Sequence, residues 1–243
     1  MNNIINKLIR LPLKLIPSKA IIPILTGPNR GFLWIKGSGV NSMWLGIYEK
    51  EKQSAIKKFT KKGMICYDIG AHAGFYTLLF SRLTGEGGFV YAFEPLQINL
   101  IYLQRHLELN RVKNVEVIPC AVSEKEGTGY LNFFDDTFTA KLGDHGKIKV
   151  KIISIDKEVN RSKILPPNII KIDAEGHELA IIKGSKETLK NHKPIIFIAL
   201  DNINTKIQIL DILKQLGYKI YDLKMREIEN RNVSQINEII AKI

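Results

Sequence analysis

Three acids close three apolar runs in this chain: Asp68, Glu94 and Asp173. The first run, Met64 to Ile69, leads into Gly70-Ala71-His72-Ala73-Gly74, and an apolar helical spacing starts at once with Phe75, Leu78, Leu79 and Leu83. That is the pattern of strand, tight turn and helix. Gly70 permits the sharp turn, and Gly74 lets a ligand or a strand come close to the helix start. The helix N-terminus there offers backbone N–H groups and a partial positive charge. The turn is not a phosphate-binding fingerprint: Asp68 stands where a dinucleotide site has its first glycine, and no Gly-Lys-Ser/Thr follows. A carboxylate at this point would repel a pyrophosphate and welcome an ammonium group or a ribose hydroxyl. A nucleoside carrying a cationic amino-acid group, such as S-adenosylmethionine, suits it. The weaker reading of the turn alone is an ordinary strand–helix turn with a capping acid.

Glu94 ends the second run, Phe89–Phe93, at roughly the 20-residue distance where nucleoside-binding α/β domains place the acid that meets ribose hydroxyls. Pro95 is expected to open the next helix, where its missing N–H costs nothing, with Asn99 one turn in. Val115 to Val122 reads as a third strand and its exit, and small Ala121 and Val122 would let an adenine ring lie flat over the backbone. Ile169–Asp173 is the fourth strand, followed by Ala174-Glu175-Gly176-His177-Glu178 and a helix through Leu179, Ile181, Ile182 and Leu189. In a parallel sheet the carboxyl ends of the strands share one edge, so Asp68, Glu94 and Asp173 are expected to converge.

The elements that must position these acids alternate between strand and helix. Pro194–Leu200 and Tyr218–Leu223 read as further strands around a helix from Ile203 to Leu216; Asn237–Ile243 is either a short last strand or a frayed helix. The pattern predicts an α/β, doubly wound, mostly parallel sheet. At 243 residues the chain is one domain with an extension. The main domain is expected over 49–243, with an inserted strand pair and loop at about 123–156: Tyr130–Phe134, a polar loop from Asp135, and Ile148–Ile153. Residues 1–48 form an extension. Its first 30 residues are apolar and basic, broken by Pro12 and Pro17, and are read as a helical arm on the main domain or a second subunit. The competing reading has residues 1–20 lying on an anionic membrane. Gly31, Gly37, Gly39 and Gly46, interleaved with Trp34, Trp44 and Tyr48, suggest a loop able to cover a pocket.

The net charge of +12 is carried largely by lysines spread along the chain with few aromatics between them, which speaks for a solvated surface more than a nucleic-acid groove. Cys66 and Cys120 both fall in apolar strand patterns, without metal or disulfide spacing, and are expected as buried free thiols of a protein in a reducing, cytoplasmic compartment, with peripheral membrane attachment as the variant. No apolar run reaches the roughly 20 residues of a membrane span.

At Asp68-Ile-Gly-Ala-His-Ala-Gly, Phe-Glu94-Pro, Ala121-Val-Ser and Lys171-Ile-Asp-Ala-Glu-Gly-His-Glu, the chain resembles the FkbM family of S-adenosylmethionine-dependent methyltransferases, over about residues 45–243. The resemblance implies the class I (Rossmann-like) methyltransferase sheet of seven strands and transfer to a hydroxyl of a sugar, glycan or related natural product. Carried over by position, Asp68, Gly70, Ala71, His72, Gly74 and Phe75 belong to the methionine-side turn. Glu94 is the ribose acid with Pro95 and Asn99 beside it, Ala121 and Val122 are the adenine side, and Asp173 belongs to both cofactor and catalytic sets. Glu175, His177 and Glu178 are expected to face the acceptor. Many members carry an acid near the end of the fifth strand, where this chain reads Ile198-Ala199-Leu200-Asp201, so Asp201 stands one or two positions late.

Methyl transfer to a hydroxyl needs a positioned acceptor and a base. His177 is the candidate base, with Asp173 and Glu175 near it. Asp173, Glu175, His177 and Glu178 could hold Mg²⁺ only if several pointed the same way, which is the weaker reading. The rival functions are methylation of nucleic acid or protein, and nucleoside binding without catalysis as a partner subunit, a homo-oligomer included.

Overall fold

The computed structural model describes residues 16–133, 140–143, 145–200, 203–228 and 236–243. The first half of the expected N-terminal arm, the polar loop at 135–139 and Asp201 therefore lie outside the described residues. From Ile16 onward the extension is not a helical arm. It is a hairpin of β1 (Ile21–Pro23) and β2 (Leu33–Ile35), then a 3₁₀ turn at Lys36–Ser38 and a short helix, α1 (Asn41–Leu45). Trp34 explains the docking of this hairpin: it is fully buried, edge-on to Phe75 and stacked 3.9 Å from the ring of His106.

The main domain continues with α2 (Lys50–Phe59), β3 (Ile65–Ile69), α3 (Phe75–Thr84), β4 (Phe89–Phe93), α4 (Gln97–Leu109), β5 (Val115–Ile118) and β6 (Ala121–Val122). Next come β7 (Gly127–Phe133), β8 (Ala140–Gly143), β9 (Ile148–Ile153), α5 (Ile155–Asn160), β10 (Ile169–Ile172), α6 (Glu178–Lys183) and α7 (Lys186–His192). The chain closes with β11 (Ile195–Ala199), α8 (Ile203–Gln215), β12 (Lys219–Tyr221) and β13 (Glu238–Lys242).

Seven strands form the main sheet in the order β12-β13-β11-β10-β3-β4-β5. β13 runs antiparallel to both its neighbours, while β11, β10, β3, β4 and β5 pair in parallel. The fold is the doubly wound α/β class expected. Alternation along each strand feeds two cores: Tyr67, Ile170 and Ile198 face one helical layer, and Cys66, Ile169 and Phe197 face the other. The same alternation decides the last segment. Ile239 and Ala241 enter one core and Ile240 the other, so Asn237–Ile243 holds a strand slotted between β11 and β12.

Three local readings change. Val115–Val122 is two strands: β5 stays in the main sheet, and β6 pairs in parallel with β9 in a second sheet ordered β6-β9-β7-β8. Pro95 does not open α4; the helix starts at Gln97, because the carboxylate of Glu94 takes the backbone N–H of Leu96 and holds that residue extended. The helix expected after Glu178 is two helices, since Asp156 accepts the N–H groups of Glu187 and Thr188 and starts a new helix there.

His106 ties the hairpin to α4 as a neutral ring. It accepts the Ile35 N–H at Nε2 (2.9 Å) and donates from Nδ1 to the Ala73 carbonyl (2.7 Å). Burial pushes its pKa from 6.5 down to about 4. The unfolded chain therefore takes up a proton that the folded chain refuses, and stability is expected to fall as pH drops from 6.5 toward 4. Unfolding midpoints over that window should slope less steeply in His106→Gln than in the unaltered protein; equal slopes would remove His106 as the cause.

Candidate active site

At the carboxyl edge of the main sheet lies a cavity of about 1050 Å³. That is the upper end for ligand pockets, with room for a nucleoside and a second reactant. Gly70, Ala71, His72, Phe75, Glu94, Pro95, Asn99, Ala121 and Val122 all reach it, as do Asp173, Glu175 and His177. The structure thus brings together most of the residues picked from the sequence.

Three picked residues, Asp68, Gly74 and Glu178, do not reach the cavity. Asp68 is fully buried and points onto the α3 face, where Thr77 donates to its Oδ2 at 2.6 Å and the Lys171 ammonium lies 3.0 Å from its Oδ1. Strand register explains it: Lys171 sits directly opposite Asp68 on β10, and both side chains take the same face. Gly74, at φ +90°, is required by packing: a Cβ there would stand 2.4 Å from Leu103 on α4. The close approach seen at this helix start is that of Leu103 on α4. Gly70, at φ +74°, makes room for the carbonyl of Asp173, 1.8 Å from where a Cβ would be, so the turn after β3 and the end of β10 touch through backbone.

Glu94 is the most firmly oriented acid of the cavity. Its Oε2 accepts the His72 N–H at 2.8 Å, and its Oε1 accepts from Leu96 N (2.8 Å) and Asn99 Nδ2 (3.3 Å). Burial raises its pKa above the ordinary carboxylate value, and those three donors oppose the rise. Leu131 and Leu142 of the second sheet line the cavity beside Ala121, so the insertion supplies an apolar wall at this end.

His177 precedes α6, and its Nε2 lies 2.9 Å from the Ser123 hydroxyl. Burial lowers its pKa, so the ring is neutral near pH 7. In the tautomer that donates from Nε2 to Ser123, Nδ1 keeps its lone pair. Glu178 turns back instead of facing the acceptor: its Oε1 accepts the N–H groups of Ala174 (3.2 Å) and Gly176 (2.9 Å), closing the loop that carries Glu175 and His177. Oε1 of Glu178 is thus engaged within its own loop, and among the described residues no three His, Cys, Asp or Glu side chains cluster as metal ligands. Cys120 lines the cavity as a protonated thiol, its pKa pushed up to about 12 by burial.

Sequence reasoning missed the charges at the β10–β13 end. The Lys52 ammonium is almost fully buried among Glu49 (2.8 Å), Asp173 (3.7 Å) and Glu238. Burial opposes its charge, but Asp173, Glu49 and Glu238 outweigh burial and raise its pKa. Tyr76 donates its hydroxyl to Glu49 at 2.6 Å. A signal existed: Lys52 lies one turn before Ile56 on the apolar stripe of α2, and Lys171 interrupts the apolar run of β10. A lysine in either place needs a buried carboxylate.

Residues 68–220 match the family model of the methyltransferase FkbM domain. The chain belongs to the FkbM methyltransferase family. A curated relative, the hexuronic acid methyltransferase AglP of Haloferax volcanii, is 27% identical over 157 residues, covering 63% of this chain and 61% of that protein. The matched part of this FkbM chain thus spans about three fifths of that relative's length. The crystal structure of a methyltransferase FkbM from Methylobacillus flagellatus is 23% identical, with a TM-score of 0.51 over 74% of this chain and 43% of that one. A SAM-dependent O-methyltransferase from Thermotoga maritima is 14% identical, with a TM-score of 0.52 over 95% of this chain and 80% of that one. Both structures show the fold that this FkbM chain shares. Glu49, Lys52 and Glu238 lie outside the segment that matches the family model.

Proposed function

We propose that this FkbM-family protein transfers a methyl group from S-adenosylmethionine to a hydroxyl of a sugar or glycan. The observation that carries the reading is Glu94: a buried carboxylate, both of its oxygens aligned by backbone N–H groups, facing a cavity at the carboxyl edge of β4. Oε2, with the His72 N–H as its donor, keeps a lone pair for a ribose hydroxyl. The residues fit the cofactor: Glu94 would hold the ribose, Ala121 and Val122 beside Leu131 would flank the adenine, and the Gly70–His72 turn would pass under the amino-acid part. When bound, S-adenosylmethionine supplies an electrophilic methyl on a sulfonium.

The chain's own work is to align and to take a proton. His177, neutral and steadied by Ser123, is placed at the cavity to accept the acceptor's hydroxyl proton at Nδ1 as the new C–O bond forms. Asp173 and Glu175, on the loop closed by Glu178, line the same end and are assigned to orienting the acceptor. The sugar acceptor follows from the family together with the activity named for AglP.

The test is calorimetric binding of S-adenosylmethionine to the full chain and to Glu94→Gln. The amide can still accept one of the two N–H groups, but its NH₂ then opposes the other, and a ribose hydroxyl loses a charged acceptor. About 100-fold weaker binding is expected. Formation of S-adenosylhomocysteine over a panel of hexose, amino-sugar and hexuronic-acid oligosaccharides then identifies the acceptor. Absence of donor binding by the unaltered protein would overturn the reading.

A further inference from the structure

We infer that Glu49 and Glu238, gathered around Lys52, form a charge-selective wall that favours the cationic methyl donor over its uncharged product. The inference rests on the reading of S-adenosylmethionine as donor and adds residues outside the family-matched segment to the donor site. The sheet order sets the direction. Glu94 follows β4, and the main sheet continues from β4 through β3, β10 and β11 to β13. A nucleoside held at Glu94 with its base at Ala121 would send its 5′ substituent over the Gly70 turn toward β10. The cavity lining on that side is Glu49, Lys52, Asp173 and Glu238.

The charges there do not balance. Lys171 is committed to Asp68 at 3.0 Å and to the Gly70 carbonyl at 2.8 Å. Lys52 faces Glu49, Asp173 and Glu238, whose side chains are 28%, 29% and 23% exposed while its own is 3% exposed, and Lys171 reaches Asp173 as well, at 3.9 Å. Two lysines, Lys52 and Lys171, against four carboxylates, Glu49, Asp68, Asp173 and Glu238, leave an excess of negative charge. Among the described residues, six carboxylates and three lysines line the cavity of a chain whose net charge is +12. Tyr48 and Tyr76 line the same region, so water screens this excess poorly.

A sulfonium donor carries one net positive charge, and S-adenosylhomocysteine carries none. In the transfer the S–CH₃ bond breaks with its electron pair staying on sulfur. The C–O bond forms, and the hydroxyl proton passes to His177. Sulfur thereby loses the charge that the wall attracts, and product release is favoured. Lys52 bridges Glu49, Asp173 and Glu238 through ion pairs.

The experiment compares dissociation constants for S-adenosylmethionine and S-adenosylhomocysteine on the full chain, with the product ligand serving as a control for folding. The donor is expected to bind about tenfold more tightly or better. Glu238→Gln and Glu49→Gln should each cut that ratio severalfold with product affinity retained, while Lys52→Gln, which removes the compensating cation, should raise it. A ratio near one in the unaltered protein, or variants that weaken both ligands alike, would overturn the wall while leaving the donor assignment standing. Binding of neither ligand would overturn the donor assignment itself, and the wall with it.

Discussion

Lys171→Met is expected to lower the thermal unfolding midpoint by about 10 °C, the largest loss of stability predicted for a single change at this site. Lys171 and Asp68 face each other in register on adjacent central strands, and both side chains are almost wholly out of water. Removing the ammonium leaves the Asp68 carboxylate buried with the Thr77 hydroxyl as its remaining hydrogen-bond donor. Breaking such a pair from one side costs about 3–5 kcal/mol, because the remaining charge cannot be solvated. The same ammonium also donates to the Gly70 carbonyl, so the turn at the start of α3 loosens as well. The double change Lys171→Met, Asp68→Leu should recover much of the loss, since it removes the stranded charge. Scanning calorimetry on the single and double variants decides the matter: a single variant within 2 °C of the parent, on the order of what a neutral surface change gives, would show that Asp68 is not ion-paired in solution.

His177→Ala is expected to reduce turnover by about 10²- to 10⁴-fold with the affinity for S-adenosylmethionine unchanged. The separation follows from placement. Glu94 and the Gly70–His72 turn stand at the nucleoside end, while His177 belongs to the loop after β10. A general base must be neutral to act, and burial lowers the pKa of His177 below 6.5. The acid limb of turnover should therefore lie below pH 6.5, with the base form persisting into mildly acidic solution. Turnover in His177→Ala equal to that of the parent would remove His177 from the mechanism, and a parent acid limb above pH 6.5 would contradict the buried, neutral ring.

How far the site was readable depends on the residue. Glu94 was legible because its evidence is local: an acid ending an apolar run at a set distance past a glycine turn can be counted along the chain. His177 was legible as a titratable group beside the expected edge, but its partner Ser123 was not, since the two are 54 positions apart and meet only when the fold brings the end of β6, in the second sheet, against the loop after β10 in the main sheet. Asp68 misled for a related reason. Its position in the turn motif is local, but the direction of its side chain depends on which lysine stands opposite it on β10. The Lys52 cluster is a third case, because it joins α2 to the last strand across almost the whole chain.

The sequence by itself determined the alternation of strands and helices, the three acids at strand ends and the turn that refuses a phosphate, because periodicity, glycine placement and residue type are properties of neighbouring positions. The tertiary structure decided what each acid does. It turned Asp68 inward to Lys171, fixed Glu94 toward the cavity through two backbone N–H groups, and set Asp173 beside Lys52 and Glu238. It also decided that the last segment is a strand, since an apolar run becomes a strand only where two unpaired edges wait to receive it. Charge and hydrogen-bond partners lie across space, and only the closed fold sets which of them meet.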